Sequence, residues 1–262
     1  MELKQLTEKV ISISKEVGMF IKHECSKIIS NDVEIKSKNS LVTYVDKTAE
    51  KNLVDFLFKL IPESGFIAEE GTSNKKGEIY NWIIDPLDGT TNFIHGIPMY
   101  CVSIALLKNN ELILGVIYEP NRDEVFYAWK NGGAYLNGKS ISVSSTKNIS
   151  NSLFATGFPY FDYEKIVAYL DVLKWLMTNS RGIRRMGSAA IDLAYVACGR
   201  FDAFYEYSLN SWDVAAGALI VQEAGGDVTD FNGNKNYLFG GEILASNLYI
   251  YNEFLNKIKT TF

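Results

Sequence analysis

The sequence predicts an α+β protein, and three observations carry that prediction. The first residues repeat apolar side chains at helical spacing. A central stretch from Met99 to Val143 is dense in β-branched and aromatic residues and punctuated by Asn and Gly. Beyond it, short apolar runs alternate with helical patterns to the end of the chain. At 262 residues there is material for one large domain or two tightly joined lobes.

Each element can be justified in order. Leu3, Leu6, Val10, Ile13, Val17, Phe20 and Ile28 follow helical steps and give a long amphipathic first helix. Its His23 is assigned a structural or solvated role. Residues 31–46 read as extended and end at Asp46. A second helix runs from about Lys47 to Leu60, with Ala49, Leu53, Phe56, Leu57 and Leu60 on one face and Pro62 closing it. Gly65 to Gly71 is a short strand that delivers the adjacent acids Glu69 and Glu70. Neighbours in a strand face opposite ways, so at most one of them points inward.

The apolar run Tyr80 to Ile84 reads as a buried strand. It leads into Asp85-Pro86-Leu87-Asp88-Gly89-Thr90-Thr91-Asn92-Phe93. Pro86 fixes one backbone angle between the two acids, Gly89 permits a tight turn, and the small polar residues after it open a short helix. Met99–Leu107, Leu112–Tyr118 and Glu124–Trp129 are predicted antiparallel strands. Asn109-Asn110, Asn121-Arg122-Asp123, Asn131-Gly132-Gly133 and Asn137-Gly138 are the turns. The stretch 144–148 (Ser-Ser-Thr-Lys-Asn) marks a seam between sub-lobes of about 1–143 and 144–262 within a single domain. In the second half, Leu153–Thr156 is a strand. Tyr163–Met177 is a helix with Ile166, Leu170, Leu173 and Leu176 or Met177 inward. Ile183–Met186 is a strand, and Gly187-Ser188-Ala189-Ala190 opens a helix closed near Gly199. Phe201–Tyr207 is a strand ending near Glu206. Trp212-Asp213 begins a helix closed by Gly225-Gly226. Short strands at Asp227–Thr229 and Glu242–Ala245 and a helix from Ile250 to Lys259 finish the chain.

Composition narrows the function. A net charge of −5 without any basic run argues against nucleic acid as a partner, and Arg181, Arg184 and Arg185 form too short a cluster to alter that. Cys25, Cys101 and Cys198 are single and far apart, so neither a zinc ligand set nor a disulfide framework is signalled. The charged N-terminus is unlike a signal peptide, and no apolar run approaches the roughly 20 residues of a membrane span. A cytoplasmic protein is expected.

Four elements end in acids: Asp46, Glu69 with Glu70, Asp85 with Asp88, and Asp213. Each has an ordinary reading alone. Glu69-Glu70 makes an exposed corner, Asp213 a helix N-terminal acid, Asp46 an N-cap, and Asp85 and Asp88 turn formers. Together they suggest convergence outside the strand ends. Two carboxylates about 4 Å apart repel by roughly 4 kcal/mol at an effective dielectric near 20. Hard divalent cations relieve that repulsion most simply, and Mg²⁺ commonly shares its shell with phosphate.

Asp85 to Phe93 resembles the first signature of the inositol monophosphatase family. Trp212-Asp213-Val214-Ala215-Ala216-Gly217 with Glu223-Ala224-Gly225-Gly226 resembles its second, and Ala68-Glu69-Glu70-Gly71 the acidic pair before them. The similarity runs from the first helix to the last. It implies a layered αβαβα sandwich and Mg²⁺-dependent, Li⁺-sensitive hydrolysis of a small phosphomonoester by metal-activated water, with two or three Mg²⁺ per subunit. It implies that Glu69, Asp85 and the Leu87 carbonyl hold the first metal, that Asp85, Asp88 and Asp213 hold the second, and that a third, weaker one sits near Glu69 and Glu70. Thr90 with Asp46 would orient the water, while Gly89, Thr90 and Thr91 bind phosphate. Glu206, Asp88, Gly187, Ser188 and Ala189 would contact the substrate, and Lys36 is preferred to Lys38 as a lysine near the metals. His95 is expected to pack or hydrogen-bond under the signature loop. Arg184 and Arg185 are assigned to an interface or to solvation ahead of a second phosphate.

The expected substrate is myo-inositol monophosphate or another phosphorylated polyol or sugar, because Thr91-Asn92-Phe93 resembles that branch. Fructose 1,6-bisphosphate, 3′-phosphoadenosine 5′-phosphate, glycerol phosphate and histidinol phosphate are the alternatives. No nucleic acid or membrane partner is expected, and relatives imply a homodimer. A non-enzymatic alternative is a regulatory protein that binds the transcription machinery.

Overall fold

The computed structural model describes residues 2–25, 27, 33–37, 40–73, 75–159 and 162–262, with the backbone alone for 33–37 and 40–42. In chain order, α1 (Leu3–Cys25) is followed by a hairpin of β1 (Val33–Ser37) and β2 (Ser40–Thr43), then α2 (Tyr44–Leu60). Next come β3 (Gly65–Ala68), β4 (Tyr80–Asp88), the short helix α3 (Thr90–Ile94), β5 (Cys101–Lys108), β6 (Glu111–Glu119), β7 (Glu124–Trp129), β8 (Ala134–Leu136) and β9 (Lys139–Ile141). The second half holds β10 (Leu153–Thr156), α4 (Ile166–Asn179), β11 (Gly182–Arg184), α5 (Ala189–Ala197), β12 (Ala203–Tyr207), α6 (Ser211–Glu223), β13 (Asp227–Thr229), β14 (Glu242–Ser246) and α7 (Tyr251–Lys259).

Strands β3 to β9 form a seven-stranded sheet in sequence order, antiparallel except where β3 runs parallel to β4. The second sheet has five strands in the order β11-β10-β12-β14-β13. Strand alternation sorts the side chains into three slabs of core. On β5, Val102, Ile104 and Leu106 face α1 and α2, while Cys101, Ala105 and Leu107 face α5 and α6. On β12, Phe204 faces α5 and α6, while Ala203, Tyr205 and Tyr207 face α4 and α7. The result is the expected αβαβα sandwich.

The central helices announce their position in their composition. From Val214 to Val221, α6 is buried without interruption, as a helix apolar on all sides must be. Small residues let the layers close. A Cβ on Gly115 of β6 would lie 2.7 Å from the Ala216 carbonyl, and one on Gly217 would lie 2.5 Å from Leu193 Cβ. Hairpin chemistry also holds: Asn109 and Asn110 have φ of 50° and 64°, the left-handed pair of a tight two-residue turn.

Some boundaries move. Thr43 caps α2 and Asp46 is its third residue, so the helix starts at Tyr44 and Asp46 closes a capping box instead of serving as the N-cap. The extended segment thus ends at Thr43, and residues 31, 32, 38 and 39 of it lie outside the description, as does 28 of the first helical face. In α4, the inward stripe is Tyr169, Val172 and Leu176, with Ile166 and Leu173 beside it. Leu170 and Met177 are exposed. Tyr169 lies a turn from both Ile166 and Leu173, which places Leu170 on the flank.

Candidate active site

The site is built around the end of β4. Its pairing with β5 is regular from Tyr80 to Asp85 and slips between Asp85 and Asp88. Pro86 has no N–H to give the ladder, so the strand bulges there. Asp85 Oδ1 accepts the Leu87 N–H at 2.9 Å, which fixes the carboxylate over the bulge. Gly89 follows with φ 95°, and a Cβ there would sit 2.8 Å from the Met99 carbonyl. This residue must be glycine on both counts. The turn releases the chain into α3. Asn92 ties that helix down by donating to the carbonyls of Met99 and Met186, each at 2.8 Å.

Thr90 stands on the first turn of α3. Its Oγ1 lies 2.9 Å from the Leu87 carbonyl and 3.2 Å from Asp46 Oδ1, two acceptors for one hydroxyl proton. Asp46 is held by its other oxygen, which accepts the Thr43 N–H at 2.8 Å and the Thr43 hydroxyl at 2.6 Å. Burial pushes the Asp46 carboxyl above its usual range.

Carboxylate oxygens of Asp85, Asp88 and Asp213 all lie within 4.8 Å of one another. Asp88 Oδ2 accepts from the Ser188 hydroxyl and the Ala190 N–H, each at 2.7 Å, so the start of α5 is fastened to the end of β4. Asp213 accepts the Asn210 N–H at 2.6 Å and thereby closes the capping box of α6. Glu69 lines the same cleft. Burial pushes the Asp85 carboxyl well above the normal range, and the charges of Glu69, Asp88 and Asp213 push it further. Asp213 is raised the same way, by burial and then by Asp88 and Glu69. Burial raises Asp88 to about 6 against the opposing bonds from Ser188 and Ala190. A close-set group of hard oxygen donors that resists its own ionisation fits a divalent cation.

Glu69 lines the cleft and Glu70 is not among its lining residues; both lie in the turn just past the end of β3. The pair is set by Glu50, a fully buried acid of α2 that the sequence reading did not single out. Its oxygens accept the Glu70 and Thr72 N–H groups, both at 2.7 Å. A charged residue on the inward face of an amphipathic helix was the available signal.

The far wall of the cleft comes from the second half. Glu206 of β12 is 6% exposed and faces the same side of its sheet as Phe204. A Cβ on Gly157 would lie 2.1 Å from both its carboxylate oxygens, so the backbone at 157 is cut away to admit them. Burial raises Glu206 well above its normal range, opposed by Arg185. Gly187, Ser188 and Ala189 line this wall, as do Arg185 and Asp192. Of the two arginines left to interface or solvation, Arg184 is exposed and Arg185 is in the cleft. Asp192 was missed, although it is the sole acid in the apolar run Ala189–Ala197. Including its open mouth, the cleft encloses about 880 Å³, a space suited to a small molecule.

Other expectations fare differently. His95 ends α3 on the exposed surface and does not pack under the loop. Lys36 stands on β1, and its side chain lies outside the description, as does all of Lys38. Cys101 is a buried thiol 3.6 Å from Ser188 Oγ and 4.0 Å from Asp88 Oδ2. Among the described residues, no helix is long and apolar enough to cross a membrane.

A layered sandwich with an acidic cluster between its sheets defines the class, and comparison with known proteins gives the family. The sequence model of the inositol monophosphatase family matches residues 2–260. The chain belongs to that family. It is 42% identical over 251 residues to the protein named Nus factor SuhB from Pseudomonas aeruginosa, covering 94% of this chain and 93% of that one. It is 40% identical to an inositol-1-monophosphatase of Rhizobium meliloti, covering 90% and 89%. The crystal structure of the extragenic suppressor protein suhB from Bartonella henselae superposes with a TM-score of 0.94 at 37% identity, covering 98% and 100%.

Proposed function

We propose that this protein is a Mg²⁺-dependent phosphomonoesterase whose best-suited substrate is a myo-inositol monophosphate. The observation that carries this reading is the trio Asp85, Asp88 and Asp213, two of them buried and the third half-buried, with carboxylate oxygens within 4.8 Å of one another beside the Gly89 turn. Glu69, Asp85 and the Leu87 carbonyl would hold one Mg²⁺, and Asp85, Asp88 and Asp213 a second, with a third, weaker one near Glu69 and Glu70. Bound there, such cations supply Lewis acidity and neutralise phosphate charge.

The chain's own residues supply position and proton control. The backbone N–H groups of Gly89, Thr90 and Thr91 face the phosphate oxygens at the start of α3. Thr90 hands its hydroxyl proton toward Asp46 and so presents a lone pair to the attacking water. That places the water in line with the ester bond, which phosphoryl transfer needs more than it needs a covalent nucleophile. Asp88 stands toward the leaving oxygen, fixed by Ser188 and Ala190. Glu206, with Gly187, Ser188 and Ala189, receives the alcohol part of the substrate. A carboxylate accepts readily from vicinal hydroxyls.

Phosphate release from myo-inositol 1-phosphate, measured with Mg²⁺ and again with excess EDTA, is the direct test. Turnover that appears only with the metal, and falls with graded Li⁺, is the expected result. No release from any small phosphomonoester would remove the enzymatic reading. A second reading is a role with the transcription machinery, suggested by the relative named as a Nus factor; in either reading we propose a cytoplasmic homodimer. Co-purification with RNA polymerase that survives Asp213→Asn would support the second reading independently of turnover.

A further inference from the structure

We propose that Asp192 and Ser208, together with Glu206, form a hydroxyl-reading wall that makes the cleft selective for the monophosphate of a polyol over bisphosphates. This rests on the phosphomonoesterase reading and names the feature of the substrate that the far wall selects.

Two observations point to a ligand here. Asp192 is 1% exposed, lines the cleft, and its Oδ1 has no hydrogen-bond partner among the described residues. A buried carboxyl oxygen given no donor carries a desolvation cost that the fold leaves unmet. Ser208 lines the same wall just beyond β12, and its buried Oγ is also without a partner among the described residues. Its backbone has φ 67°, a conformation that glycine would adopt without strain. A strained serine with an orphaned hydroxyl two positions after Glu206 is better explained by what enters the cleft than by the fold.

Substrate hydroxyls, directly or through one water, satisfy these groups. A hydroxyl both donates and accepts, so it can serve a carboxylate on one side and a serine on the other. Charge decides what the wall refuses. Arg185 is the one cationic side chain among the described residues lining the cleft, and it shares that lining with Glu206, Asp192 and Asp88. Burial that resists the ionisation of these acids makes a second phosphate dianion costly on the same wall, and one guanidinium is the sole cation among the described lining residues to offset it.

The test compares wild type with Asp192→Asn and Ser208→Gly on three esters: myo-inositol 1-phosphate, fructose 1,6-bisphosphate and p-nitrophenyl phosphate, which carries no hydroxyls. For Asp192→Asn, the kcat/KM ratio of the inositol ester over the nitrophenyl ester falls about tenfold, mostly through KM, and the bisphosphate gains relative to the inositol ester. Ser208→Gly lowers the first ratio about threefold, with a thermal midpoint at or above wild type because the backbone strain is gone. Ratios within twofold of wild type in both variants overturn the inference, as does an equal loss on all three esters. If Asp192→Asn does not fold, Ser208→Gly decides alone. Binding of free myo-inositol, followed by saturation-transfer NMR, separates this inference from the reaction. Polyol binding that weakens in the variants, in a protein that turns over no ester, removes the phosphomonoesterase reading and leaves the wall standing. Myo-inositol that binds all three proteins alike, or none, removes the wall.

Discussion

Asp85 shows how a single residue serves both fold and site. One oxygen accepts the Leu87 N–H and shapes the bulge, while the carboxylate as a whole sits against Asp88 and Asp213. Asp85→Asn keeps the shape and removes one charge from a crowded set. It should lower Mg²⁺-dependent phosphate release at least about a hundredfold. It should also raise the thermal midpoint measured in EDTA by a few degrees, about what 1 kcal/mol of relieved repulsion gives. Equal midpoints in EDTA would show that the acids do not strain the metal-free fold. Gly157 tests the other wall. Gly157→Ala puts a methyl where Glu206 now lies, 2.1 Å from its oxygens. The expected result is a KM for inositol 1-phosphate raised about tenfold, with kcat changed less.

At the scale of elements, the site depends on short tethers between them. Glu50 of α2 holds the turn after β3 through the N–H groups of Glu70 and Thr72. Glu50→Ala takes the acceptor from the half-buried Glu70 N–H and the more exposed Thr72 N–H, a cost of about 1–2 kcal/mol in urea unfolding. It should also release Glu69 from its place and lower turnover, whereas Glu50→Gln retains one acceptor and loses less. The turn after β4 was legible from sequence because Pro86 and Gly89 impose local geometry regardless of context. The same is true of the Asn-rich hairpins. The frame of α4 was not legible to one residue, because Ile166, Leu170, Leu173 and Leu176 are all apolar. The choice between adjacent faces is made by α7 and the five-stranded sheet, not by α4.

Across the whole molecule, the same burial that assembles the site loads the fold with acids that resist ionisation. The carboxyls of Asp85, Asp88, Asp192, Glu206 and Asp213 are all raised, chiefly by burial. In the unfolded chain they titrate near 4. Between that pH and their folded values, the folded protein holds more protons than the unfolded one. Their contribution to stability is therefore full below about pH 4 and is lost as pH rises, through about 6 for Asp88 and higher for those raised further. Thermal midpoints in EDTA should fall as pH is raised from about 5 to 8, and Mg²⁺ should restore more at the higher pH. A midpoint independent of pH in EDTA would contradict this. The core slab between the sheets draws on β5 and β6 as well as β10, β12 and β14. A single calorimetric transition is expected for the whole chain, and two resolved transitions would separate its halves.

The sequence by itself determined the order of the elements, the strand, turn and helix from Tyr80 to Phe93, and the acids that end four elements. Those depend on side-chain periodicity and on the backbone limits of proline and glycine, which act within a few residues. Only the tertiary structure decided which acid of Glu69 and Glu70 enters the cleft, that Arg185 and not Arg184 lines it, that Glu50 holds the turn after β3, and that Asp192 and Ser208 lie in the cleft wall. Those choices depend on which face of each strand and helix is buried against a distant element, and a carboxylate's surroundings cannot be read from its neighbours in the chain.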